Sequence, residues 1–359
     1  MLDHIAKRLK DKAGRIREYE VIETGDGDME MGRAGGFMPT HIYGPEYEHA
    51  MRLKEQLLQE YRDKPLEEVI PGETISNDRG TCYYIQHKHD ISIQKADLEK
   101  SRQVICSNLK LIYGIGEVRE RELKQQGYHT IDDLVRHPRW RDEAGKFLDT
   151  FESRNAGTLH DLLWRRLPRS DPLLLYLAGI YDKNDLIMFD IETMGLFGRP
   201  IILLGIARQK RRRINTYQYL LRDIPDEPGA LWEFVSHIEE NTALITFNGR
   251  SFDIPYVEER LGFYGLNASI EKPHFDVLHF ARRAFRGRVP DCRLVTLERY
   301  LLGIERKDDV PGVLVPEFYE TYLKTRNPGL LIPIIEHNRQ DLITLSRLFS
   351  RLYDVWEDA

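Results

Sequence analysis

Four short apolar runs between residues 186 and 249 most constrain how this chain can fold. The first three, "LIMFDIET", "PIILLGIARQ" and "RINTYQYLL", have the length and β-branched content of strands and are separated by short turns. A helical stretch, "GALWEFVSHIEE", precedes the fourth run, "ALITFNG", and helical patterns dominate from there to the last residue. Three strands in a meander, a helix, a fourth strand and further helices predict an α/β layered domain.

Two acidic residues stand at the end of the first apolar run. Asp190 and Glu192 are two residues apart, so on a strand their side chains point to the same face of the sheet. Like charges that close repel each other and resist ionisation unless a cation joins them. Either the strand has ended and both acids are solvated, or a positive group binds there.

Further acids follow at two later points. Asp253 comes after the fourth apolar run, and His337 and Asp341 lie four residues apart in an amphipathic helical pattern, so they share one helix face. Taken singly, an acid that ends a strand is usually a turn or cap residue, and a His–Asp pair at this spacing is usually a surface contact. The order and spacing of the whole set are much more specific than any single member.

The set resembles the three motifs of the DEDD superfamily of 3′–5′ exonucleases. The matching patterns are Asp-x-Glu after a strand, Asn-Gly-x-x-Phe-Asp after another, and His-x-x-x-Asp on a helix. The segments "HFDVLHFARRAFRGRVPDCRLVTLERYLLGIERKDDVPG" and "EHNRQDLITL" are closer still to the YprB-type RNase H-like domain. The resemblance covers about residues 180–355 and implies an RNase H-like mixed sheet flanked by helices. The helical patterns of residues 106–175 predict a mainly helical region before it.

The resemblance also implies an activity, namely metal-dependent 3′–5′ exonuclease hydrolysis of single-stranded DNA or RNA. Asp190, Glu192, Asp253 and Asp341 would hold two Mg²⁺ or Mn²⁺ ions, because hard divalent ions prefer oxygen ligands. Such an ion pair stabilises the attacking and leaving oxygens of a phosphodiester. Two other functions stay open: a catalytically silent nucleic-acid-binding protein on the same fold, and a structure-directed endonuclease.

His337 is the expected general base. An imidazole titrates close to neutral pH and suits the transfer of a proton from water. The superfamily uses either a His with four residues between it and the Asp or a Tyr at the spacing seen here, and this chain has His at the Tyr spacing. The alternative is that His337 only hydrogen-bonds a metal ligand or the substrate.

Other residues are candidates for contact with nucleic acid. Residues 106–175 resemble a helix-hairpin-helix module, in which backbone N–H groups of the turn would face a phosphate; a hairpin used only for packing is the alternative. The arginines of "HFARRAFRGR" are candidates for contact with the backbone of a nucleic-acid strand. The alternative is that they form a solvated helix face. The acids Asp276, Asp308 and Asp309 are interpreted as structural or loop residues. The candidate contacts are Gly114, Gly116, Asn248, Arg282, Arg283 and Arg286.

Composition sets the remaining limits. The 359 residues allow two or three domains, divided here into 1–105 of unknown role, 106–175 and 180–359. The net charge of −6 means that nucleic-acid binding depends on local basic patches. The charged first twenty residues and the absence of long apolar runs indicate no signal peptide and no membrane partner. Three widely spaced cysteines suit a reducing cytoplasm, and the sequence indicates no particular protein partner.

Overall fold

A computed structural model describes residues 44–153, 156–196 and 198–357. The described residues as far as Gln56 belong to one compact unit, and those from Leu57 onward form a second. The part before residue 181 contains the helices α1 Pro45–Glu60, α2 Leu66–Val69, α3 Leu98–Cys106, α4 Glu117–Gln125, α5 Ile131–Leu134, α6 Arg141–Glu152, α7 Ala156–Trp164 and α8 Pro172–Tyr176, and the strands β1 Glu73–Asn77 and β2 Gly80–His89.

The second half alternates strands with helices. Its elements are β3 Leu186–Thr193, β4 Ile201–Lys210, β5 Arg213–Leu220, α9 Glu227–Ser236, β6 Ala243–Thr246, α10 Asp253–Phe263, β7 His274–Asp276, α11 Val277–Phe285, α12 Leu294–Leu297, α13 Val315–Thr325 and α14 Ile332–Glu357. The predicted meander of three strands, the helix after it and the fourth strand are all present.

The strands form one mixed sheet of seven, in the order β1-β2-β5-β4-β3-β6-β7. The pairs β3–β6 and β6–β7 are parallel, and the other pairs are antiparallel. Strand β3 lies between β4 and β6, and most of its side chains are buried, as expected for an interior strand with helices on both faces. The predicted α/β class, with a mixed sheet flanked by helices and preceded by a mainly helical region, is confirmed.

Strands β1 and β2 come from the segment that the sequence leaves without a role. Strand β2 pairs antiparallel with β5, with Tyr84 opposite Tyr219, so this segment supplies two strands at one edge of the sheet. The segment before the predicted boundary at residue 105 therefore shares one sheet with the segment after residue 180. Strand β7 is only three residues long, too short to leave a periodic pattern.

Helix α14 packs across the middle of the sheet, against β3, β4 and β5. The close approach depends on Gly205 of β4, because a Cβ there would collide with the side-chain amide of Asn338. Gly205 lies opposite Asp190 in the β3–β4 pairing. The small residue thus lets α14 reach the strand that carries the first two acids.

The upstream helices share one apolar core with the sheet. Leu109, Leu134 and Phe147 belong to the same cluster of buried side chains as Phe275 of β7 and Phe349 of α14. In addition, the Tyr353 hydroxyl of α14 donates to the carbonyl of Leu175 at 2.6 Å. Because nonpolar burial is continuous between them, these helices hold a fixed position relative to the sheet.

Candidate active site

The first two acids lie on β3, as the period of a strand requires. Glu192 is 8% exposed, and Asp190 is partly buried beside it on the same face. The apolar residues between and before them anchor the strand in the core. Burial of this strand fixes the two carboxylates without any loop movement.

The third acid reaches β3 from α10. Asp253 is the first residue of that helix and is 5% exposed. Its Oδ1 accepts a hydrogen bond from the backbone N–H of Ile191 at 3.2 Å. Ile191 is the residue between Asp190 and Glu192, so the structure brings the predicted third acid next to the predicted pair.

Helix α14 carries the last two candidates. Asn338, between His337 and Asp341 on the helix, donates from Nδ2 to the Oδ2 of Asp190 at 2.8 Å and to its backbone oxygen at 3.1 Å. The Nε2 of His337 lies 3.7 Å from the Oδ2 of Asp341. The five residues predicted to be catalytic therefore come together where β3, α10 and α14 meet.

The carboxylates influence one another strongly. Burial, followed by the charges of Asp341, Glu192 and Asp253, raises the pKa of Asp190 well above its ordinary value. Burial also raises the pKa of Glu192 to about 7, although His337 acts in the opposite direction. Burial and the mutual repulsion of the carboxylates therefore both disfavour the charged forms of these two groups.

One buried arginine supplies part of that positive charge. Arg306, with 6% of its side chain exposed, donates from Nε and Nη2 to the carboxylate of Glu298 at 2.6 and 2.9 Å. Its Nη2 also donates to Asp341, and its Nη1 lies 3.5 Å from Asp309. Charge-assisted contacts of this kind are strong and directional, so Arg306 holds Asp341 in its present orientation.

His337 is fixed from its other ring nitrogen. Its Nδ1 lies 2.7 Å from the Oδ1 of Asp309. Burial by itself lowers the pKa of His337, but the charge of Asp341 and the hydrogen bond to Asp309 outweigh it and raise the pKa to about 10. At neutral pH the ring is therefore a cation while no other positive ion offsets the carboxylates.

The chemistry of this donor set suits a hard divalent cation. All four acids offer oxygen ligands, and a bound cation would offset the burial and repulsion that raise the pKa values of Asp190 and Glu192. Asp253 and Asp190 accept hydrogen bonds from Ile191 and Asn338, and Asp341 is bound to Arg306. Within the described ranges, no three His, Cys, Asp or Glu side chains are arranged to hold one metal ion as they stand.

The predicted contacts in the second half of the chain lie on two neighbouring segments. Asn248 is 8% exposed, has a φ of +63°, and donates its backbone N–H to the carboxylate of Asp276 at 2.8 Å. Asp276 precedes α11, which ends in the exposed Arg282 and Arg283, and Arg286 follows it. Arg283 lies 3.8 Å from the carboxylate of Asp171, so that arginine already has an acidic neighbour.

The predicted hairpin turn is exposed on the upstream helical region. Gly114 has a φ of +83° and Gly116 immediately precedes α4, so both glycines lie in the turn before that helix. Two acids, Glu117 and Glu120, occupy the first turn of α4. Their charges oppose a phosphate at that helix end, and the helix-hairpin-helix role of the turn stays a prediction.

Sequence reasoning missed three residues that surround the cluster. Arg306 and Asp309 belong to "ERKDDVPG", which has the composition of a loop, and Asn338 adjoins His337. The only signal was position, because Asn338 is one residue from a named candidate and Asp309 is one of the acids assigned to a loop. The residues in these contacts are separated by 28 to 148 positions in the sequence, and no local sequence pattern predicts contacts over such separations.

Residues 187–353 match the family model described as RNase_H_2 of the RNase H superfamily. A segment of 174 residues is 38% identical to the uncharacterized protein YprB of Bacillus subtilis (strain 168), covering 47% of this chain and 42% of that protein. The chain thus spans less than half the length of that relative.

The catalytic chains of two DNA polymerases are also similar over part of their length. The DNA polymerase epsilon catalytic chain of Schizosaccharomyces pombe is 37% identical over 204 residues, which is 52% of this chain and 9% of that polymerase chain. Its counterpart from Kluyveromyces lactis is 41% identical over 173 residues, which is 46% of this chain and 8% of that polymerase chain. In the part of the chain that the structure describes, no helix is long and apolar enough to span a bilayer.

Proposed function

We propose, from the premise that residues 187–353 are an RNase H-like domain, that this chain is a metal-dependent nuclease. The observation that carries the proposal is the convergence of four acids from β3, α10 and α14, with the charges of three of them acting on the buried fourth, Asp190. A protein that only bound nucleic acid would gain nothing from burying so much like charge. A site that receives divalent cations needs it.

The substrate we propose is single-stranded DNA or RNA, hydrolysed from its 3′ end. Support comes from the resemblance of the three motifs to DEDD exonucleases and from the similarity to two DNA polymerase chains. Asp190, Glu192, Asp253 and Asp341 would hold Mg²⁺ or Mn²⁺, and two ions is the number that the resemblance implies. When bound, these cations would offset the charge that builds up on the phosphodiester.

We propose His337 as the proton acceptor, acting through Nε2 in the neutral ring that bound cations would favour by offsetting the carboxylates. Its Nδ1 faces Asp309, and a hydrogen bond from Nδ1–H to that carboxylate leaves Nε2 as the atom that exchanges a proton. Replacement of His337 by Ala is expected to slow hydrolysis by about 10²-fold or more. An unchanged pH–rate profile in that variant would assign the role to another group.

The deciding experiment is a nuclease panel with the wild type and Asp190→Asn. Oligonucleotides of DNA and RNA, single- and double-stranded and labelled at either end, are incubated with Mg²⁺ or Mn²⁺ between about pH 6 and 9, a range that spans the ordinary histidine pKa. We expect the wild type to cleave from the 3′ end and Asp190→Asn not to cleave. A circular single strand separates the two modes of cutting, because an obligate exonuclease needs an end. If the 3′-labelled strands stayed intact under every condition, the proposal would be rejected.

One observation favours a second function, a silent nucleic-acid-binding protein. Arg306 is bound to Asp341, and a guanidinium at this carboxylate occupies a proposed metal ligand. If Arg306 keeps Asp341 in this state, binding without hydrolysis is expected. Binding by the wild type that survives Asp190→Asn, with no cleavage by either protein, is the result that would select this function.

A further inference from the structure

Two basic side chains from different segments surround a tryptophan next to the loop that leads to Asp253. The guanidinium carbon of Arg250 lies 4.1 Å from the centre of the Trp164 ring, and that of Arg169 lies 5.8 Å from it. Arg250 follows β6, whereas Trp164 and Arg169 belong to the end of α7 and the segment after it. The group therefore joins the upstream helices to the RNase H-like domain.

Arg250 is held in place but poorly neutralised. Its Nε is buried and has no hydrogen-bond partner within the described structure. Its backbone N–H lies 3.3 Å from the carboxylate of Asp276, and that carboxylate also accepts from the backbone N–H groups of Asn248 and Leu278 at 2.8 and 3.3 Å. Backbone donors thus occupy the nearest buried acid.

Two further basic side chains adjoin the same place. His279 and Arg282 lie on α11, one turn apart from each other, and the pKa of His279 is lowered first by burial and then by the charges of Arg169, Arg282 and Arg250, against the opposing effect of Asp276. Burial and the charge of Arg169 likewise lower the pKa of Arg250. The positive charges of Arg169, Arg250 and Arg282 repel one another, so an anion bound among them would be stabilised.

Trp164 fixes the geometry of this group. One neighbour of its ring is Arg250, and another is the His160 ring, stacked at 5.1 Å with an interplanar angle of 24°. A guanidinium placed over an aromatic ring is attracted by its π-electrons. Arg250 therefore loses less side-chain freedom when it binds a ligand than an unsupported arginine would.

We propose that Arg250, Arg169 and Trp164 form a binding site for the phosphate backbone of single-stranded nucleic acid, with Trp164 as a positioning residue. Arg250 and Asp253 are three residues apart, so their α-carbons lie within about 11 Å of each other. A strand held here is next to the carboxylate cluster. The inference rests on the proposed function for its substrate class, but it concerns binding, which is measured without turnover.

The experiment measures affinity for a fluorescein-labelled, single-stranded oligonucleotide by anisotropy, with EDTA present, over a series of salt concentrations. Arg250→Gln and Arg169→Gln are each compared with the full-length wild type. Each lost phosphate contact is expected to weaken binding about tenfold and to reduce the slope of log K against log salt by about 0.7. Arg250→Lys, which keeps the charge, is expected to restore most of the slope, and thermal melting checks that every variant is folded.

A matched control is Arg212→Gln, an exposed arginine in the turn between β4 and β5. We expect wild-type affinity and slope from it. An equal loss in this control, an unchanged slope in both cluster variants, or equal affinity of the wild type for a poly-glutamate peptide would each overturn the inference. Binding that depends on the cluster in a protein that never cleaves would reject the proposed hydrolysis and leave this site standing.

Discussion

At the scale of single residues, Asp190 is the clearest case of a side chain whose position costs stability. Its carboxylate is buried near three others, and the pKa rises because the charged form is disfavoured. We expect Asp190→Asn to raise the free energy of unfolding of the metal-free protein in mildly alkaline solution, because the amide carries no charge among the neighbouring carboxylates. The measurement is urea denaturation in EDTA.

The same substitution should remove hydrolysis. Even a change in the partner of a metal ligand costs about 10- to 100-fold in activity, so loss of a ligand is expected to cost at least that. Asp182→Asn, in the exposed turn before β3, is the control and should change neither quantity. Stability and activity moving in the same direction in Asp190→Asn would contradict the proposed role.

Asp309 provides a second prediction at this scale. Because its hydrogen bond helps to raise the pKa of His337, Asp309→Asn is expected to lower that pKa. The same contact fixes the orientation of the ring, so its loss is expected to slow hydrolysis about tenfold. Nuclear magnetic resonance titration of the imidazole measures the first effect, and initial rates measure the second. The exposed neighbour Asp308 is the matched control, and an identical response of Asp308→Asn would reject a specific role for Asp309.

At the scale of elements, the position of α14 depends on one glycine in the neighbouring strand. Gly205→Ala would force a methyl group against the amide of Asn338, and overpacking of this kind costs about 1–3 kcal/mol. We expect lower stability together with lower activity, because Asn338 contacts Asp190. Chemical denaturation and initial rates check the two effects.

Gly145 offers the comparison for that substitution. It lies within α6, and a Cβ there would meet nothing within 4 Å. Alanine at this position is expected to stabilise the protein by about 0.5–1 kcal/mol, because glycine is unfavourable inside a helix. If both substitutions changed stability equally, the close approach of α14 would not be the cause.

The elements also show what the sequence could predict. Strands β3 to β6 and helix α14 were predictable because each has a local pattern of apolar residues, and the acids were predictable because they stand at fixed distances from those patterns. Arg306 could not be placed from sequence. Its contacts with Glu298, Asp309 and Asp341 depend on how a loop folds back over α14, and loops carry no periodic signal.

At the scale of the whole molecule, the site makes stability depend on pH and on cations. Glu192 and His337 have folded-state pKa values of about 7 and about 10, both above their ordinary values of 4.5 and 6.5. At these two groups the native state binds more protons than the unfolded state, so their contribution to stability falls as the pH rises from 4.5 to about 10. The lowered pKa of Asp309 has its effect only in more acidic solution.

We therefore expect the melting temperature in EDTA to fall as the pH rises from about 7 to about 9, above the range in which histidines with lowered pKa values add stability as the pH rises. Added Mn²⁺ should raise it more at the alkaline end of that range than at the acidic end, because cations bind deprotonated carboxylates and stabilise the state that binds them. Thermal melting at a series of pH values gives both results. A Mn²⁺ effect of the same size in Asp190→Asn would show that the ion binds elsewhere.

Strands β1 and β2 bear on how the chain folds as it is synthesised. This hairpin leaves the ribosome early, but its partner strand β5 follows more than a hundred residues later, with Tyr84 paired to Tyr219. At ordinary translation rates that interval is on the order of 10 s, and a lone hairpin is at best marginally stable in water. The two edge strands are therefore synthesised first but pair with the rest of the sheet late. Until β5 emerges, the nascent protein has an open β-edge that chaperones can cover.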